Sequence, residues 1–412
     1  MKLGVSKVCI TPSMPLRLSG YAIRNSNFTE VKEDIYIRVY YFLSNDSPCL
    51  LVYADLLWWN SEFIKKIRPI LQEKYALKPH QVFFVASHNH SGPPTGDSFT
   101  KLLEEYSPAY EIELQDKVFV AIEEARTNVE EIKLEFYEGS CHLNVYRRVM
   151  ADNQIAMRPN YEVEADHHLT VLACVTEQGK NKGLLVHYPC HANLSQENVI
   201  QPDYPGVALR MLDAEYGTTA MFLQGCTADL RPNCVVGTVF TPVGYKEVVA
   251  FAEQFVSSVR MTLKHEKQEM KSEVSTSLSF LDLPLENLLS EEELIKNSKE
   301  AEGVTQQRAE KVIQRGSLEK EILEMGTLDF GSTFRIITFN AEVSQFYAKI
   351  AREFHAPCLC ACYTNGMIGY ITTAKQIQEG GYEPKGSAEY FALRGTYKAE
   401  IESLILKELM SK

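Results

Sequence analysis

Short apolar runs alternate with segments whose apolar residues recur every three or four positions through most of this chain. CLLVYADLL (49–57) is a near-continuous apolar run and predicts a strand. From Ser61 the spacing changes, and Ile64, Ile67, Ile70 and Leu71 fall on one helical face. VFFVAS (82–87) predicts a strand that runs straight into the polar loop HNHSGPPTGD. Residues 110–129 predict a second amphipathic helix, striped by Leu114, Val118, Ala121, Ile122 and Ala125. Further strands are predicted at HLTVLACV (168–175), GLLVHYP (183–189) and TAMFLQG (219–225), with helices over 205–216 and 245–263. Pro205 suits a first helical turn, where its missing N–H costs no bond, and Gly217 suits the stop. Strand–helix alternation of this kind points to an α/β architecture.

One region breaks the pattern. From 285 to 326 the chain is charged and helix-like, between SLSFLDLPL and FRIITFN, which read as strands. It predicts an inserted helical pair, either flanking a substrate entrance or serving as a solvated hairpin with a structural role only. The helix-like KAEIESLILKEL (398–409) leaves little chain for another domain. With no 20–50-residue repeat and no low-complexity linker, a single catalytic-sized domain over 1–412 is the simplest account.

Composition narrows the function classes. The 412 residues are 45% hydrophobic and 23% charged, which supports a large core and excludes disorder as the main state. Lys+Arg 42 against Asp+Glu 54 gives a net charge of −12, so no nucleic-acid partner is expected. The first twenty residues lack the apolar core of a signal peptide, and the most apolar stretch (49–59) is short and carries Asp55. No stable membrane insertion is expected, and the expected location is cytoplasmic. Ten cysteines in such a chain read as reduced thiols. Cys358, Cys360 and Cys362 alternate along one strand face as small buried hydrophobes, because no CxxC pair supports a metal site there.

The candidate chemistry sits where strands end. His88 and His90 follow VFFVAS, and an i, i+2 pair leaving a strand points to one side. Two imidazoles so placed can share one metal, or one can bind metal and the other substrate. In HYPCHANLS, Pro189 makes a helix unfavourable, so one of His187 and His191 faces a site and the other packs. Asp229 and Arg231 lie in the loop QGCTADLRPN, where Asp229 reads equally well as a turn residue.

Together these pieces resemble the neutral/alkaline (non-lysosomal) ceramidase family, zinc amidases that hydrolyse the N-acyl bond of ceramide. ASHNHSGP is similar to the family's His-x-His-Ser-Gly-Pro element and PCHANLS to its second histidine segment. NVYR, FNAE and YTNGMIGYITTAKQIQEGGYE follow in the family's order, to about residue 390. The resemblance implies a mixed β-sheet core with surrounding helices. It also implies a Zn2+ held by His88, His191, Glu342 and Tyr370, with His90, Arg147 and Tyr382 facing the reacting centre and Arg231 close by.

Those residues make chemical sense as a set. Zinc accepts imidazole nitrogen and carboxylate oxygen, and it acidifies a bound water towards pKa ~7, which can then attack a carbonyl. On that resemblance His90 and Tyr382 would hydrogen-bond the scissile carbonyl or the developing oxyanion, Arg147 would neutralise it, and Asp229 would orient a ligand histidine. Glu342 would sit where a strand passes into a helix with Val343, Phe346, Ile350 and Phe354 as its buried stripe. Tyr363 and Asn365 read as turn residues.

One departure stands out. The family's Gly-Asp-Val-Ser-Pro-Asn reads Ala-Asp-Leu-Arg-Pro-Asn here, so Arg231 stands at the serine position. Arginine stays protonated and cannot act as a nucleophile. Either zinc-activated water attacks, or the chain is a non-catalytic metal- and ligand-binding relative. No export signal or C-terminal immunoglobulin-like domain is expected, and with two arginines expected beside the site this reading favours a smaller, polar, anionic N-acyl or ester substrate over ceramide. A phosphoester hydrolase would use the same groups. A small-molecule substrate is expected, and a homo-oligomer is compatible with the sequence.

Overall fold

The computed structural model describes residues 1–45, 47–355 and 357–411. Two sheets carry the fold. In the larger one, Thr219–Gln224, Asn181–Tyr188, His168–Thr176, Glu130–Ser140, Lys2–Cys9, Tyr36–Ser44, Ser47–Ala54 and Val82–Ala86 lie in that order, with Gln268–Met270 added beside Glu130–Ser140. The outermost pair at each end is parallel and the pairs between are antiparallel, so the sheet is mixed.

Both faces of the strand Ser47–Ala54 are covered. Leu50, Val52 and Ala54 enter an apolar cluster with the helices Ser61–Tyr75 and Pro108–Thr127. Cys49, Leu51 and Tyr53 enter a second cluster with Asp203–Tyr216 and Tyr245–Thr262. Burial on both faces explains why the run is continuous rather than alternating. Pro205 sits in the first turn of its helix, and Gly217 ends it at φ +59°.

The second sheet runs Cys358–Ala361, Phe334–Phe339, Lys320–Phe330, Ser275–Glu286 and Thr396–Tyr397. Here the expectation of a helical insertion to 326 is corrected. Lys320–Phe330 is a strand, antiparallel to Ser275–Glu286, and only Glu291–Glu300 and Gly303–Gln314 are helical. Leu323 and Met325 are buried at the two-residue period of a strand. Glu321 and Glu324, which read as solvated helix positions, are instead buried against Arg315 and Arg68. The helical pair therefore joins two neighbouring strands.

The helix after Glu342 needs a second correction. Glu342–Val343 pairs with Tyr370–Ile371, which delays the helix to Gln345–His355. Its buried face is Tyr347, Ala348 and Ala351, fixed by the Tyr347 hydroxyl donating to Thr372 O at 3.1 Å, while Phe354 is 55% exposed. All ten cysteines are free thiols, and Cys358, Cys360 and Cys362 are buried in one cluster as expected. No helix among the described residues is long and apolar enough to cross a membrane.

Candidate metal centre

His88 and His90 leave the strand Val82–Ala86 on a loop that turns sharply, with His88 at φ +63°. A non-glycine residue in that region stores strain, which is common where a side chain must be aimed. His191 leaves the strand Asn181–Tyr188 on a second loop. Gln224, at the end of a third strand, joins the two loops by donating to Ser87 O at 3.0 Å and Cys190 O at 2.8 Å.

Each of the three imidazoles points its Nδ1 at a backbone carbonyl. His88 reaches Leu57 O at 3.1 Å, His90 reaches Gly20 O at 3.2 Å and His191 reaches Leu230 O at 2.9 Å. A carbonyl only accepts, so each Nδ1 carries the proton and each Nε2 presents a lone pair. Those nitrogens converge: His88 and His90 Nε2 lie 3.1 Å apart, and candidate ligand atoms of all three residues fall within 4.8 Å of one another. Burial pushes His88 down to about 3 and holds His90 and His191 well below the usual range, so the rings are neutral at pH 7. Three facing lone pairs repel unless a cation sits among them. Among the described residues this is the one such cluster, and its donor set suits a metal ion.

Glu342 lies beside the cluster. Its carboxylate is 3.0 Å from His191 Nε2 and 3.5 Å from His88 Nε2, and its Oε1 is buried without a hydrogen bond. Tyr370 pairs with Glu342 across the short two-strand sheet, and its hydroxyl is close enough to favour the Glu342 carboxylate. Arg147 reaches His191 Nε2 at 3.4 Å and Glu342 Oε1 at 3.7 Å. It is held by Glu383, which takes Arg147 Nε at 2.8 Å and also pairs with Arg148. The Tyr382 ring stands edge-on to Tyr370 at 5.6 Å.

Not every expected role survives. Asp229 touches no histidine: it accepts from Ser344 at 2.5 Å, Gln345 N at 3.0 Å and Gln376 at 2.8 Å, fixing the helix start beyond Glu342. Backbone carbonyls aim the imidazoles in its place. His90 lies directly against His88, within reach of the same centre. His187 packs away, its Nε2 on Cys360 O at 2.9 Å. Arg231 lies over the Phe240 ring at 4.9 Å, with its charge felt at His90 and His191.

Several supporting residues escaped the sequence reading. Tyr363 stacks on His88 at 4.1 Å and holds Thr227 through its hydroxyl, so it does more than shape a turn. Asn365 ties the same turn to Phe84 N and Glu324. Arg24 grips the His90 loop through His90 O, Ser91 and Glu197 O. Glu383 carried a signal in its place after Tyr382; Gln224 and Arg24 carried none.

The family model for neutral/alkaline non-lysosomal ceramidase, N-terminal, matches residues 1–254. That span holds His88, His90, Arg147, His191 and Arg231 but not Glu342, Tyr370 or Tyr382. Among solved structures, neutral ceramidase from Pseudomonas aeruginosa superposes with a TM-score of 0.79 at 17% identity, covering 99% of this chain and 73% of that one. A ceramidase complexed with C2 gives 0.78 at 15% identity, over 99% and 74%. At such identities the likeness establishes the fold. No curated protein matches by sequence. The family match spans more than half the residues, and the chain belongs to the neutral/alkaline non-lysosomal ceramidase family.

Proposed function

We propose that this protein is a zinc-dependent hydrolase of an N-acyl amide bond, acting on a substrate smaller and more polar than ceramide. The observation that carries the reading is the convergence of three neutral Nε2 lone pairs beside the orphaned Glu342 oxygen. His88, His191, Glu342 and Tyr370 are the residues that would hold zinc. When bound there, zinc would supply the acidity that makes a water nucleophilic at neutral pH. Arg147, held by Glu383, faces the negative charge that develops on the carbonyl oxygen, and Tyr382 donates its phenolic hydrogen to the same oxygen. Burial raises the Tyr382 pKa, so that hydrogen stays in place. His90, the most open of the three histidines, is placed to move the proton from water to the leaving amine.

The 3.1 Å contact between His90 and His88 supports a second arrangement, in which His90 is itself a ligand. Zinc titration of His88→Ala, His191→Ala and His90→Ala separates the two. We expect about one equivalent of zinc in the wild type, its loss in the first two variants, and retained zinc with lost turnover in the third. Zinc loss in all three variants would make His90 a ligand. A wild type that binds no zinc would end the proposal. Assaying a zinc-replete sample on N-acyl amino acids, esters and phosphate esters tests the remaining readings. Binding without turnover of any would favour the non-catalytic relative, and cleavage of phosphate esters alone a phosphoesterase.

A further inference from the structure

Arg231 stands beside the metal centre with its charge unanswered. Its strand Leu230–Pro232 pairs with Asn144–Tyr146, and the carbonyl of the preceding Leu230 is the one that aims His191. The side chain therefore departs one residue from the metal-facing shell. Its guanidinium lies on Phe240, and its one hydrogen-bond partner among the described residues is the Met157 sulfur at 3.6 Å, a weak acceptor. No carboxylate among the described residues lies within 4.0 Å of it, whereas Arg38, Arg68, Arg147, Arg148, Arg315 and Arg352 each meet one. The groups that act on its charge most strongly are Tyr21, Arg147, Tyr370 and Cys234, none of them a carboxylate.

A partly exposed guanidinium that no carboxylate engages keeps most of its N–H donors free for a ligand. Its planar fork matches a carboxylate in a two-bond geometry, and the Phe240 face holds the plane in place.

We propose that the ligand of this centre carries a carboxylate and that Arg231 binds it, which makes N-acyl amino acids the substrate class. The inference rests on the hydrolase reading above for the word substrate. In the reaction the amide C–N bond breaks and water supplies oxygen to the acyl carbon and a proton to the nitrogen. An acid and a free amino acid leave, and the carboxylate on Arg231 is unchanged throughout.

The test compares N-acetyl- and N-hexanoylglycine with their methyl esters. Calorimetric binding to the zinc-loaded full chain is measured for the wild type and Arg231→Gln. A charge-assisted pair predicts that the wild type binds each acid about ten- to hundredfold tighter than its ester. Arg231→Gln should bring that ratio close to one. An acid-to-ester ratio that survives Arg231→Gln, or an acid that fails to bind the wild type, overturns the proposal. Binding needs no turnover, so acid preference without hydrolysis would sink the hydrolase reading and leave the anion site standing. Hydrolysis of the esters with no acid preference in binding would do the reverse.

Discussion

Glu383 is the single carboxylate between two buried arginines, and its removal offers the sharpest test of how the centre is held. Arg147, Arg148 and Glu383 are each no more than 3% exposed, so their charges meet each other rather than water. Truncation in Glu383→Ala leaves two guanidiniums in the interior. Breaking a buried pair from one side costs about 3–5 kcal/mol. Two carboxylates soften the loss: Glu379 lies 3.3 Å from Arg148, and Glu342 lies 3.7 Å from Arg147. We therefore expect the low end, about 3 kcal/mol, or roughly a hundredfold in the folding equilibrium. Urea unfolding followed by tryptophan fluorescence reads this directly, since Trp58 and Trp59 are both buried. The second readout is zinc affinity. An Arg147 released from Glu383 turns to Glu342 and competes for its oxygens, so affinity in a chelator competition should fall about 10- to 100-fold. Glu383→Gln, which keeps the acceptor oxygen, should lose less on both measures. A Glu383→Ala protein within 0.5 kcal/mol of the wild type, on the scale of an ordinary surface substitution, with unchanged zinc affinity would refute this account.

Other consequences can be checked independently. Gly20 sits at φ +95°, and a Cβ there would meet His90 Nδ1 at 2.5 Å; Gly20→Ala should displace that ring and cut turnover at least tenfold while zinc stays bound, as read by metal analysis and initial rates. Glu104 is buried among Trp58, Asn60 and Ser98, and burial lifts its pKa to about 7. A carboxyl raised above its unfolded value of about 4.3 holds its proton longer in the fold, so its contribution is full below that value and is lost as pH rises through 7. The stability difference between wild type and Glu104→Gln should thus shift against the wild type by about 3 kcal/mol between pH 4 and pH 8, and a flat difference would contradict the assignment. Gln224→Ala removes the bridge between the two histidine loops; it should lower zinc affinity in chelator competition about tenfold through positioning alone.

Much of this was legible in the chain because burial leaves periodic marks. The runs at 49–57, 82–87 and 219–225 hold the strands Ser47–Ala54, Val82–Ala86 and Thr219–Gln224, and the stripe Leu114, Val118, Ala121, Ile122 and Ala125 lines its helix without exception. Failures came where charge is buried. Glu321 and Glu324 mimic a solvated helix until Arg315 and Arg68, from distant segments, explain them. The helix after Glu342 was misread because a two-residue strand pairing, invisible to periodicity, shifts its start. His88, His90 and His191 could be singled out as strand-exit histidines, but what aims them could not. Leu57, Gly20 and Leu230 act through their carbonyls, which every residue type possesses.

That last feature bears on how such a centre persists through divergence. Where side chains aim a ligand, each aiming residue is a fixed point, and its loss must be compensated before another change is tolerated. Carbonyl aiming removes that constraint. At Leu57 and Leu230 substitution alters packing and leaves the acceptor in place, so selection acts on the path of the loop rather than on the letter. Gly20 is the exception, because its neighbour's ring forbids a side chain. Substitution tolerance mapped across these three positions should therefore be uneven: broad at two, closed at one.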